Sequence, residues 1–214
     1  SRNFFNKKYE KKYDRNLKIA QIIKNSEVKL FLFSSRQVYS QKFFLTEKSK
    51  LSPLNIYAKN CIKSEKFCKK IMNDNLLILR LSNVFGYENG KKKKPSLMSL
   101  ILNSLKKREI IFDNNYFLYK DFLPIDLFCL YIEKLIILDI VGTINIGSGI
   151  PTLVKNFVAR IIDVNKIKIR VKLSNKFLDQ SYSYNIEKLN KLTGIKITKK
   201  KLNFFFSKLK NKLV

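Results

Sequence analysis

Three short apolar runs, each ending in a polar island, constrain the fold of this chain more than any other feature. Residues 28–33 read Val-Lys-Leu-Phe-Leu-Phe and lead into Ser34-Ser35-Arg36-Gln37-Val38-Tyr39. Leu76–Leu81 leads into Ser82-Asn83-Val84-Phe85-Gly86, and Thr143-Ile144-Asn145-Ile146 ends in Gly147-Ser148-Gly149. Short runs rich in strand formers and bounded by turn residues read as buried strands. Helical spacing fills the intervals. Tyr13, Leu17, Ala20 and Ile23 share one face of a helix predicted over 7–25. Ser52 and Pro53 open a second helix that reaches about Met72, because proline is tolerated in a first turn and serine can cap it. Further helices are predicted over 96–106, from Pro124 to about Leu138, from Pro151 to Ile162, over 185–192 with a stop at Gly194, and over 202–213. Strands are predicted near Ile110 and Phe117 and over 166–173. Alternating strands and helices of this length predict an α/β fold on a parallel sheet.

Composition excludes several classes of chemistry. The chain has no histidine, which removes Ser-His-Asp hydrolysis, Cys-His proteolysis and most zinc enzymes. Cys61, Cys68 and Cys129 fit no metal spacing and read as free thiols of a reducing cytoplasm, and no metal is expected. The net charge is +28. It would suit a polyanionic partner, yet the lysines are spread along the whole chain, arginine is scarce, and Lys, Asn, Ile and Phe are enriched together. A basic module for nucleic acid or a membrane surface is therefore the weakest reading. The most apolar stretch, 122–141, carries Asp126, Glu133, Lys134 and Asp139, so no membrane span is expected. The chain begins with Ser1 rather than Met, which reads as a fragment.

Islands at strand ends are where open α/β sheets place ligands. Besides Ser34 to Tyr39, these are Tyr57-Ala58-Lys59-Asn60-Cys61 with Glu65, and Arg80-Leu81-Ser82-Asn83-Val84-Phe85-Gly86. Lys120-Asp121-Phe122-Leu123-Pro124-Ile125-Asp126, Gly142 to Gly149 and Asn185 to Gly194 follow. In order and spacing the set resembles the extended short-chain dehydrogenase/reductase family, the NAD-dependent sugar-nucleotide epimerases and dehydratases. The resemblance implies a Rossmann-type sheet with a smaller C-terminal substrate-binding lobe. Residues 1–88 and 119–146 would belong to the cofactor domain, and 89–118 and 147–214 to the lobe. It implies NAD or NADP as cofactor and a nucleotide sugar as substrate. It also implies a homodimer through the helices near 7–25 and 54–72. Ser35 and Tyr57 match the catalytic hydroxyl and the acid/base tyrosine, with Ser34 and Tyr57 on the cofactor side. Asn83 and Lys120 match substrate-diphosphate positions, and the Lys91 to Lys94 run could add a contact.

Two departures stand out. An unperturbed tyrosine titrates near about 10, and lowering it by about three units takes roughly 4 kcal/mol. The family's lysine, four residues after the tyrosine, supplies much of that by stabilising the phenolate. Here that position is Cys61, and Glu65 fixes the register. Lys59 and Lys63 project from other faces of the helix, at roughly 100° per residue. A buried, inert thiol is the expected state of Cys61, and hydride chemistry is expected to be impaired. The second departure is the absence of the glycine-rich turn that cradles a pyrophosphate: none of the six glycines forms it. The resemblance starts in mid-domain, so the Rossmann-type sheet is expected to be incomplete. A degenerate homologue that keeps a nucleotide-sugar pocket or a dimer face without turnover is the alternative reading.

Overall fold

The computed structural model describes residues 2–40, 42–86, 101, 109–112, 114–164, 170–173 and 181–207. Strands β1 (Leu30–Ser35), β2 (Leu76–Leu81) and β6 (Gly142–Ile146) form a parallel sheet in the order β1-β2-β6. Ser34 lies opposite Arg80, and Arg80 opposite Asn145. Side chains alternate across this sheet. Leu76 and Ile78 join Leu30, Leu32, Ala20, Cys68 and Met72 on one face. Leu77 and Leu79 join Ile144, Ile146, Leu127, Tyr131 and Leu189 on the other. Each such fully buried leucine stabilises the fold by about 1.5–3 kcal/mol.

Helix α3 (Ile56–Met72) makes the crossover from β1 to β2 that a parallel pair requires. Its buried residues include Ala58, Cys61, Glu65, Cys68 and Met72, one stripe at helical spacing. It starts three residues beyond Pro53. Asn55, not Ser52, is the cap, and its side-chain oxygen accepts from the Ala58 amide at 2.9 Å.

The single helix expected over 7–25 is instead broken. After a separate helix α1 (Arg2–Asn6), a 3-10 turn at Lys11–Tyr13 and helix α2 (Arg15–Ile23) take its place. The break falls at Asp14, whose backbone is extended and whose buried carboxylate caps α2 by accepting from Leu17 N at 3.1 Å.

The other strands surround a second core. Strand β3 (Asn83–Phe85) pairs in parallel with β5 (Tyr119–Pro124), which pairs antiparallel with β7 (Pro151–Leu153). Strand β4 (Glu109–Phe112) pairs in parallel with β8 (Arg170–Leu173). Helix α4 (Ile125–Ile137) follows β5, and α5 (Val154–Val164), α6 (Glu187–Thr193) and α7 (Lys199–Ser207) complete the described elements. Helices α5 and α7 pack on the second core, while α4 and α6 pack on the first sheet. Phe85, Phe122, Phe157 and Phe206 are buried together, with Phe122 and Phe157 stacked at 3.9 Å.

Two sequence expectations are corrected here. Phe117 ends a 3-10 turn, Asn114–Phe117, and the strand comes after it. Pro151 lies in β7 and the helix starts at Val154. β7 pairs only with β5 among the described strands, so Pro151 sits on an edge, where a missing N–H is tolerated. Gly194 ends α6 in the left-handed conformation, as expected. The helix expected over 96–106 lies outside the described residues except for Ile101. So do Lys91 to Lys94, the first half of the 166–173 strand, and the chain beyond Ser207. No helix among the described residues is long and apolar enough to cross a membrane.

Candidate functional site

The carboxyl end of β1 delivers Ser34 and Ser35, and the first two turns of α3 deliver Tyr57 and Cys61. Helical geometry puts Tyr57 and Cys61, four residues apart, on the same face, toward the strand end. The Ser35 hydroxyl and the Cys61 sulfur are the polar neighbours that act on the Tyr57 phenol. Ser34 acts on Cys61 as well, and its Oγ donates to Glu65 Oε1 at 2.5 Å. A cavity of about 190 Å³ opens beside this group, its walls including Phe5, Asp14, Ser34, Tyr57 and Cys61.

The electrostatics follow from burial. Desolvation pushes the Tyr57 phenol well above the usual tyrosine range, and the neighbouring Cys61 pushes it further, against a smaller opposing contribution from Ser35. Burial also pushes the Cys61 thiol up to about 12. The Tyr57 hydrogen bond opposes that, and the charges of Glu65 and Asp14 reinforce it. Neither group ionises at neutral pH. Lys59 and Lys63 lie on the exposed side of α3, and the Arg80 guanidinium is committed elsewhere.

Arg80 holds the floor of the site. Its Nε and Nη2 donate to the two Glu65 oxygens at 3.2 and 2.6 Å. Its Nη1 donates to the Tyr39 hydroxyl at 2.8 Å, which in turn donates to Asn145 Oδ1 at 2.8 Å. Sequence reading used Glu65 only to fix register. Its structural role is to neutralise a buried guanidinium, which a lone glutamate on the buried stripe of a helix signals, because buried charges are paired.

The segment before α2 closes over Tyr57, which the sequence did not indicate. Phe5 stacks on the Tyr57 ring at 4.8 Å and 15°, and Phe4 meets it edge-on at 6.5 Å. The buried Asn60 amide anchors this segment by donating to Phe4 O at 2.7 Å and Lys7 O at 2.9 Å.

Asn83 and Lys120 stand apart from this cluster. They sit on the neighbouring strands β3 and β5 and do not line the cavity beside Tyr57. Lys120 is buried, with its ammonium 5.8 Å from the Tyr182 ring centre. The residue after it, Asp121, is fully buried. It accepts from Ser148 N (2.7 Å), Ser148 Oγ (2.9 Å), Gly149 N (2.9 Å) and Tyr184 N (3.3 Å). Gly147 passes between Asp121 and Tyr184. A Cβ there would come within 2.8 Å of the Tyr184 ring and 2.9 Å of the carboxylate.

A sequence profile of the NAD dependent epimerase/dehydratase family matches residues 6–123, more than half of the chain, and the chain belongs to that family. Among solved structures, it is similar to a UDP-N-acetylglucosamine 4-epimerase from Methanobrevibacter ruminantium in complex with UDP-N-acetylmuramic acid. The TM-score is 0.77 at 22% identity, over 91% of this chain and 66% of the other. It is also similar to RMD from Pseudomonas aeruginosa complexed with NADPH, with a TM-score of 0.74 at 17% identity, over 93% and 72% of the two chains. A UDP-glucuronic acid 4-epimerase from Bacillus cereus in complex with UDP-glucuronic acid and NAD gives a TM-score of 0.75 at 16% identity, over 91% and 66%. At these identities the likeness establishes the fold. The chain spans about two thirds of the length of these structures. No match is found among curated proteins.

The residues around Tyr57 do not fit a nicotinamide ribose. The position that would hold it is a neutral thiol, and the Tyr57 ring is covered by Phe5.

Proposed function

We propose that this chain is a nucleotide-sugar-binding member of the epimerase/dehydratase/reductase group whose NAD(P)-linked hydride chemistry is impaired. The observation that carries the reading is the Tyr57 phenol, set beside Ser35 and Cys61 and pushed upward by burial, with no lysine of the described residues acting to lower it. Such a phenol holds its proton and donates hydrogen bonds, which suits binding a sugar hydroxyl and not removing its proton. In this reading residues 1–88 and 119–146 are the remaining cofactor-domain framework, and 89–118 and 147–214 are the substrate lobe. Asn83 and Lys120 then face the diphosphate. Lysine keeps the charge there but lacks the two-pronged geometry of arginine.

The test uses the full chain and its Cys61→Lys variant, each with NAD and with UDP-, dTDP- and GDP-sugars. Calorimetry measures binding and absorbance of the reduced cofactor measures turnover. The expected result is binding of a nucleotide sugar without cofactor reduction by the unaltered chain. Turnover by the unaltered chain at the level of the lysine variant would overturn the impairment. Absence of binding to all three sugar classes would overturn the nucleotide-sugar reading.

A further inference from the structure

Arg36 joins two groups of residues that otherwise stand apart. It directly follows Ser35, whose hydroxyl acts on the Tyr57 phenol, and it opens the 3-10 turn Arg36–Val38 at the end of β1. Ser35 Oγ accepts from Gln37 N at 3.3 Å and so fixes that turn. Gln37 and Tyr57 share the wall of a cleft of about 460 Å³ with Asn55, whose amide donates to Gln37 Oε1 at 2.8 Å. The Arg36 side chain reaches toward the surroundings of Lys120. Its guanidinium carbon lies 4.2 Å from the centre of the Tyr182 ring, and the Lys120 ammonium lies 5.8 Å from the same centre. Both residues are more than nine-tenths buried, at 8% and 5% exposure. They are unlike the solvated lysines spread along the chain.

The ring between them is itself fixed. Tyr182 is buried, donates its hydroxyl to Asp121 O at 3.2 Å and meets Tyr184 edge-on at 6.2 Å. Tyr184 meets Tyr39 in the same way, and the Arg80 guanidinium lies over Tyr39 at 4.9 Å. Three buried tyrosine rings thus carry positive charge at both ends. At the Arg80 end the charge is answered by Glu65. At the other end Asp121, next to Lys120 in the chain, turns its carboxylate to Ser148, Gly149 and the Tyr184 amide.

Packing on a ring uses the face of a guanidinium, and its hydrogen-bond donors lie in its plane. That planar fork matches the two oxygens of a carboxylate, whereas an ammonium is a point charge that suits a phosphate. The places of the two cations divide in the same way. A sugar whose hydroxyl lies at Ser35 and Tyr57 has its ring beside the next residue, Arg36, while Lys120 sits on β5 at the diphosphate position. A neutral sugar would set only hydroxyls against the guanidinium. A carboxylate would make charge-assisted bonds, roughly twice as strong as neutral ones.

We propose that Arg36 selects a nucleotide sugar whose hexose carries a carboxylate, a uronic acid, with Lys120 on the diphosphate. The inference rests on the nucleotide-sugar reading above and names the class of sugar within it.

The experiment is calorimetry on the full chain with acidic and neutral members of matched pairs: UDP-glucuronic acid against UDP-glucose, and GDP-mannuronic acid against GDP-mannose. The same ligands are titrated into Arg36→Met, which keeps an apolar stem and removes the charge, into Arg36→Lys, which keeps the charge without the fork, and into Lys120→Met. In at least one pair the uronic member is expected to bind at least about tenfold more tightly than its neutral partner. Arg36→Met removes that preference and leaves the neutral sugar within about threefold of its original affinity. Arg36→Lys restores part of the preference, and Lys120→Met weakens both members alike. Equal affinity of the two members for the unaltered chain overturns the inference and leaves the nucleotide-sugar reading standing, whether or not any variant folds. So does an equal loss of both members in Arg36→Met, which puts the guanidinium on the diphosphate instead. Binding of none of the four ligands overturns the nucleotide-sugar reading and this inference with it.

Discussion

Glu65 and Arg80 meet inside the protein through two hydrogen bonds, one to each carboxylate oxygen, with both side chains more than nine-tenths shielded from water. One comes from the helix that carries Tyr57 and the other from the strand beside β1, so their contact fixes the height of α3 above the sheet. Replacing Glu65 by Ala leaves a guanidinium buried and unpaired. Loss of one partner of a buried pair costs about 3–5 kcal/mol. The expected outcome is a fall of that size in urea-unfolding free energy, with a smaller loss in a Glu65→Ala/Arg80→Met double variant.

Asp121 ties three segments together. Its carboxylate serves β5, the Ser148-Gly149 turn and the backbone of Tyr184. Asp121→Ala strands these donors in a site that water does not reach, and each orphaned donor costs about 1–3 kcal/mol. The prediction is a large loss of stability, with hydrogen exchange rising first at Ser148, Gly149 and Tyr184.

The thiols predict an alkaline limit. Burial pushes Cys61 and Cys68 each up to about 12 from an ordinary value of 9.0. Below that ordinary value both the folded and the unfolded chain keep these protons. Between the two values the unfolded chain releases them and the folded chain cannot, so stability is present below the unfolded pKa and lost as pH rises toward the folded one. Urea midpoints measured from about pH 8 to about pH 11 are expected to fall, and to fall less steeply in a Cys61→Ser/Cys68→Ala variant. The same burial predicts that iodoacetamide modifies the exposed Cys129 in the native protein and reaches Cys61 only on unfolding.

Asn60 controls what lies over Tyr57. Its two hydrogen bonds to Phe4 and Lys7 carbonyls hold the α1 segment in place. Asn60→Ala removes them at a cost of about 1–3 kcal/mol. Faster proteolysis within residues 2–8 is expected, together with a downward shift of tyrosine titration as Tyr57 gains water.

The framework was legible in the sequence where one face of an element is buried and the other solvated. β1, β2, β6 and α3 follow from apolar runs and helical spacing, and the Tyr57–Cys61 pair follows from a four-residue interval on one helix. The strand expected near Phe117 begins instead at Tyr119, because Lys120 and Asp121 interrupt the apolar pattern of β5. Both are buried all the same, Asp121 held by hydrogen bonds from Ser148, Gly149 and Tyr184 and Lys120 set against the Tyr182 ring, and no local window contains those partners. The break at Asp14 was hidden for a related reason: its carboxylate is held by Tyr9 and by Ser64, fifty residues on. The covering of Tyr57 by Phe5 depends on a contact between segments more than fifty residues apart, which periodicity does not encode.

Ser34, Arg80 and Asn145 lie in one row across β1, β2 and β6, joined through Glu65 and Tyr39. The order of the three strands is therefore written twice, once in the main-chain ladder and once in side chains. A slip of β2 by one residue would turn Arg80 toward the Leu123 and Leu135 face and leave Glu65 facing leucine. Hydrophobic burial tolerates many leucine pairings, but this polar row accepts one alignment. It acts as a checksum on the sheet, and the Ser35–Tyr57 geometry inherits its accuracy.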